Sequence, residues 1–159
     1  DIREWIIHPY MLKEYRNRWY IIGKRSSGNI ALSIALDRIR KISNCIESFE
    51  ENDLFDPNTY FNDIIGITFP EDKSLERIII KVSSESADYI LTKPIHKSQE
   101  VLKKYADGSI KVQLSLYINF EFKAHLLSYG PNIKVIEPVL LKTAIQDLYE
   151  KGVEVYKKD

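Results

Sequence analysis

The sequence predicts an α+β chain of two small domains, and three observations carry that prediction. Residues 1–45 hold short runs of β-branched and aromatic residues joined by turn residues, with no helical stretch between them. Residues 46–74 turn acidic and turn-prone. From residue 75 onward, strand and helix patterns follow in the order β-α-β-β-α-β and end on a helical run. The first pattern makes a small, strongly curved antiparallel sheet or barrel, and the last makes a ferredoxin-like split βαβ layout. The 159 residues divide accordingly into 1–70, which includes the acidic connector, and 71–159.

In the first part, Trp5 to Tyr10, Arg18 to Lys24 and Ile30 to Ile42 have strand composition. Asn17 marks the first turn, and Ser26-Ser27-Gly28-Asn29 forms the second as a hairpin loop. In the connector, Pro57 opens a predicted short helix containing Tyr60, Phe61, Ile64 and Ile65. In the second part, Leu75 to Val82 is a strand, and Ser84 to Ser86 cap a helix running to about Thr92, ahead of Pro94. Gln99 to Tyr105 is the next strand, and Asp107-Gly108 is a hairpin signal. Ile110, Val112, Leu114 and Leu116 alternate along a strand ending near Tyr117. A helix over Glu121 to Tyr129 stops at Gly130, and Ile133 to Ile136 is the last strand. Pro138 to about Tyr149 closes the chain as a helix, with Leu141, Ile145 and Leu148 at helical spacing.

Composition narrows the function class. At 44% hydrophobic and 29% charged, with no apolar run of 18 residues, the chain reads as a globular cytoplasmic protein without a transmembrane helix. It begins at Asp1 rather than Met and has no signal-peptide pattern, which reads as a piece of something longer. Cys45, the single cysteine, has no partner for a disulfide or a metal knuckle and reads as a small buried side chain. Net charge is zero but uneven: residues 1–45 carry +5, residues 46–74 carry −7, and residues 75–159 carry +2. Six of the seven arginines lie in the first segment, where planar guanidinium forks suit phosphate or carboxylate.

The stretch HPYMLKEYRNRWYIIG (residues 8–23), followed by IALDRI (34–39), resembles the WYL domain, with Trp19-Tyr20-Ile21 in place of the name-giving tripeptide. PIHKSQEV (94–101), the Asp107-Gly108 turn and LLSYGPNIKVIEP (126–138) resemble the C-terminal extension that often follows it. The resemblance implies an Sm-like or SH3-like barrel, then a ferredoxin-like extension, within a bacterial transcriptional regulator. Such a regulator reads operator DNA through an N-terminal winged helix-turn-helix that this sequence does not contain. WYL domains are proposed to sense nucleic-acid-derived ligands. This chain departs from many members at Ala35, where they carry a basic residue ahead of the LDR.

Alternation along a strand puts Arg18 and Tyr20 on one face and Trp19 and Ile21 on the other, where Trp19 reads as a core plug. The Arg18/Tyr20 face, together with Tyr10, Arg38, His8 and Arg16, presents guanidinium donors beside rings and hydroxyls, which suits a nucleotide or a short single strand. Two roles follow: sensor of such an effector within a homodimeric regulator, or a module that binds single-stranded DNA or RNA directly. The acidic connector is either a solvated tether or a competitor lying across the cationic face. No phosphate loop, HExxH or nucleophile elbow is present, and His96 and Ser98 lack an activating partner in sequence, so an enzyme, a cofactor and a metal are not expected.

Overall fold

The structure, a computed structural model, describes residues 3–71 and 74–157. The chain forms two compact units, residues 1–62 and 63–159. It is a mixed α+β protein, with two antiparallel sheets and three α-helices among the described residues.

The first unit holds β1 (Ile7–Tyr15), β2 (Arg18–Arg25) and β3 (Ala31–Ala35), ordered β1-β2-β3. Arg16 and Asn17 join β1 to β2 as a two-residue turn in which both φ are positive, +51° and +61°. That is the primed turn whose twist matches the flanking strands, and the Glu14 carboxylate accepts the Asn17 amide at 2.6 Å. At Gly23 the strands approach closely, and a Cβ there would stand 2.4 Å from the His8 carbonyl oxygen. The third strand is shorter than predicted. It stops at Ala35, and Leu36–Arg38 turn into a single 3-10 turn closed by Ile39 N–H donating to the Leu36 carbonyl at 3.1 Å.

No further strand follows before Glu76 among the described residues, so the three strands do not close on themselves here. The helix expected from Pro57 is also absent. Asp56 instead collects the Asn58, Thr59 and Tyr60 amides on its side chain and carbonyl, and these local bonds make turns that compete with a continuous helical ladder. Cys45 is exposed rather than buried, because residues 41–51 pass over the surface without regular structure.

The second unit has β4 (Glu76–Val82), α1 (Ser84–Thr92), β5 (Glu100–Lys104), β6 (Ile110–Leu116), α2 (Phe120–Leu127), β7 (Ile133–Glu137) and α3 (Val139–Tyr156). The element order matches the expectation, and the sheet order is β5-β6-β4-β7. Along β6 burial alternates residue by residue: Ile110, Val112, Leu114 and Leu116 are buried, and the residues between them half-buried. These four join Ile78, Ile80, Val82, Phe122, Leu126 and Leu141 in one apolar core. The last helix runs seven residues beyond the predicted Tyr149, because no glycine cap or proline stops it; Gly152 alone does not.

Residues 63–71 belong to this unit by specific bonds. Asn119 caps α2 by accepting the Phe122 amide at 2.8 Å, and its side-chain amide donates to the Ile65 and Thr68 carbonyls. Glu121, buried, accepts from the Thr68 hydroxyl at 2.7 Å and from its amide at 3.2 Å. Gly66 lets the segment pass, with φ +88° and room for a Cβ only 2.6 Å from the Glu121 Cγ.

Candidate functional site

Strand register decides which predicted site residues can meet. Tyr20 pairs with Lys13 and Ala35, Ile22 with Met11, Lys24 with His8 and Tyr15 with Arg18, so all of these share one face of the first sheet. On this face Ile22, Ala35, Lys24 and His8 are buried. On the opposite face Trp19 is 51% exposed and Leu12 is exposed. The expected core plug is therefore on the outside: the connector packs on the Ile22 face through Glu50 and Phe61, and Trp19 lies on the other.

The six predicted residues divide between two ends of that face. Arg18 lies beside the Arg16-Asn17 turn, and its Nε stands 3.0 Å from the Asp37 Oδ2. Asp37 is thus the partner of Arg18, and the 3-10 turn that carries Asp37 also carries exposed Arg38. The Arg16 guanidinium lies 5.5 Å from the Tyr15 ring centre. Six residue steps along β2, roughly 20 Å at the usual strand rise, separate Arg18 at this end from Lys24. Tyr20 sits between them, half-buried.

The other end gathers His8, Tyr10 and Lys24, which the strand bulge between Pro9 and Met11 helps to bring together. The connector supplies their partners. Lys24 Nζ donates to Glu50 Oε2 at 2.6 Å, and His8 Nδ1 accepts the Glu50 amide at 3.1 Å. The Phe49 ring meets the His8 and Tyr10 rings edge-on at 6.1 Å, and Phe55 meets Tyr10 in the same way. The Ser26 hydroxyl donates to Glu47, and Lys13 stands over the Phe61 ring. The hydrogen bond from Lys24 holds the Glu50 carboxyl below its ordinary value, and the same bond raises Lys24, outweighing the burial that opposes it.

Lys24 was not among the predicted site residues. Its signal was available, since Ile22 and Lys24 continue the Arg18/Tyr20 alternation, but a lysine at a strand end gives no sequence sign that it is buried. Glu50 carried only the general acidity of the connector. His96 and Ser98 also find their place: Ser98 Oγ donates to the Ser115 carbonyl and accepts its amide, extending the edge of the second sheet. Among the described residues, no cluster of three or more potential metal ligands exists, and no helix is long and apolar enough to cross a membrane.

Residues 74–152 match the sequence model of the WCX domain. Among solved structures the chain is similar to the proteasome accessory factor B/C (PafBC) of Arthrobacter aurescens, with 17% identity and a TM-score of 0.36. That match covers 87% of this chain and 21% of the other, so this chain spans about a fifth of that relative's length. No curated protein matches the chain.

Proposed function

We propose, from the premise that residues 74–152 belong to the WCX domain family, that this chain is the effector-sensing and dimerisation region of a bacterial transcriptional regulator. The WYL resemblance of residues 8–39 supports the same reading. So do the sheet order of the second unit, which fits a ferredoxin-like extension, and the three-stranded antiparallel sheet of the first, which we read as part of an Sm-like barrel. The effector is nucleotide-like or a short nucleic acid, held on the basic and aromatic face by His8, Tyr10, Arg16, Arg18, Tyr20 and Arg38. Operator DNA is contacted through a domain outside this sequence, the assembly is a cytoplasmic homodimer, and the chain is not an enzyme.

One observation carries the ligand assignment. Arginines stand at one end of a single sheet face and a buried lysine and histidine at the other, with Tyr20 between them. Cations roughly 20 Å apart on one face suit a ligand with more than one phosphate and a base that stacks between them. Replacing Arg18 and Arg38 with alanine should weaken binding of a short oligonucleotide at low salt, and unchanged affinity removes the assignment. The second reading, direct binding of single strands, is favoured by the length of the face. It requires affinity and salt dependence to rise as the oligonucleotide lengthens, whereas a sensor saturates at a few nucleotides.

A further inference from the structure

We propose that Glu50 is the internal occupant of an anion site built by Lys24, His8 and Tyr10, and that a phosphate monoester of the effector displaces it. The proposal rests on the reading of this face as the effector site, and it adds to that face a residue, Lys24, and a mechanism of exchange.

The first ground is an excess of donors. His8 Nδ1 accepts the Glu50 amide, which places the neutral ring's proton on Nε2. That Nε2 is buried without a hydrogen-bond partner among the described residues, 3.7 Å from Glu50 Oε1. The Tyr10 hydroxyl is buried and equally unpartnered, and Lys24 has three protons, of which Glu50 takes one. A buried donor left unmade is costly, and native proteins rarely leave several together unused. One carboxylate with two oxygens does not meet these three side chains. A phosphate, with three terminal oxygens arranged tetrahedrally, has the acceptors to do so.

The second ground is the difference in anchorage between the two sides. His8 and Lys24 are 3% and 8% exposed and sit on paired strands with a glycine fitted between them. The Glu50 side chain is 49% exposed and belongs to a stretch, residues 41–51, with no regular structure. The donors are therefore built in, whereas the acceptor is a loop side chain that can turn into water, where a carboxylate is well solvated. Phe49 and Phe55 flank Tyr10 and give the site an apolar rim. Such a device raises the ligand concentration needed for occupancy and frees the Glu50 side chain when the ligand enters, while the Glu50 amide, Phe49 and Phe55 keep their places.

The test titrates the full chain with inorganic phosphate and with adenosine monophosphate, using adenosine as the uncharged control. Glu50→Gln should tighten phosphate and adenosine monophosphate by tenfold or more and leave adenosine unchanged, and Lys24→Met should abolish phosphate binding. In the unaltered chain, saturating phosphate should return the Glu50 side-chain carboxyl signal to an ordinary carboxylate titration, a readout that needs no variant to fold. Phosphate affinity within twofold of the parent in Glu50→Gln, full binding by Lys24→Met, or a Glu50 carboxyl unmoved by phosphate each overturns the proposal. If adenosine monophosphate binding depends on Arg18 and Arg38 but not on Lys24 or Glu50, this inference falls and the proposed function stands. If it depends on none of the four, the assignment of the face falls with it.

Discussion

The two units solve the burial of their sheets in opposite ways. The second sheet turns a largely apolar face to its helices, and four of its lysines stand on the other side. Lys103, Lys111, Lys81 and Lys134 stand directly opposite one another across four strands. The first sheet buries a lysine and a histidine beside Ile22 and depends on a carboxylate from an irregular segment to accept from the lysine. A unit of about 60 residues has little apolar area to spare, so its covered face is conditional on that segment. The second unit has a core that needs no such help. Stability therefore resides chiefly in residues 63–159, and adaptability in residues 1–62.

Core truncation tests this division most strongly. Phe122→Ala should cost about 3–5 kcal/mol of unfolding free energy, the usual cost of removing a fully buried aromatic side chain. Trp19→Ala, on the uncovered face, should cost less than about 1 kcal/mol. Equal losses in urea unfolding would mean that Trp19 is covered and that both faces of the first sheet are buried.

Acid should separate the units next. Because the folded state holds Glu50 below its ordinary value of 4.5, the bond to Lys24 contributes stability that is present above that value and lost as pH falls through the lowered one. Lys24, raised above 10.5, contributes stability that is present below 10.5 and lost as pH rises through its raised value. Amide exchange of residues 7–25 should therefore quicken below pH 4.5 before that of β4 and β6. Simultaneous loss in both sheets would remove the special position of Glu50. Asp107, lowered by its bonds from Ser109, contributes an acid response of its own at its turn in the second unit.

The smallest effects lie on the surface. Like charges directly opposite on neighbouring strands repel, so Lys111→Gln should stabilise the second unit by a few tenths of a kcal/mol at low salt, and less at high salt. Arg16→Gly should stabilise the first unit by about 0.5–1 kcal/mol, since glycine adopts φ +51° without the cost an arginine meets there. Thermal melts at two ionic strengths separate the two, because relief of the Lys111 repulsion is screened whereas relief of backbone strain at position 16 is not.

How much was legible follows from the range of the forces involved. Alternation over Ile110 to Leu116, the Asp107-Gly108 turn and the turn at Asn17 are written in neighbouring residues, and each appears where the pattern placed it. The sequence by itself therefore determined the two-sheet α+β order, the sharing of one face by Arg18 and Tyr20, and the charge imbalance between residues 1–45 and the connector. It misplaced Trp19, Cys45 and the connector helix, because whether a face is covered depends on what returns to it from elsewhere in the chain. Only the tertiary structure decided that Arg18 takes Asp37, that Asn119 and Glu121 hold residues 65–68, and that Glu50 reaches Lys24 and His8 from 26 and 42 positions away. Local conformational preference acts over a few residues, whereas burial and charge pairing act between any residues that the fold brings within a few ångströms.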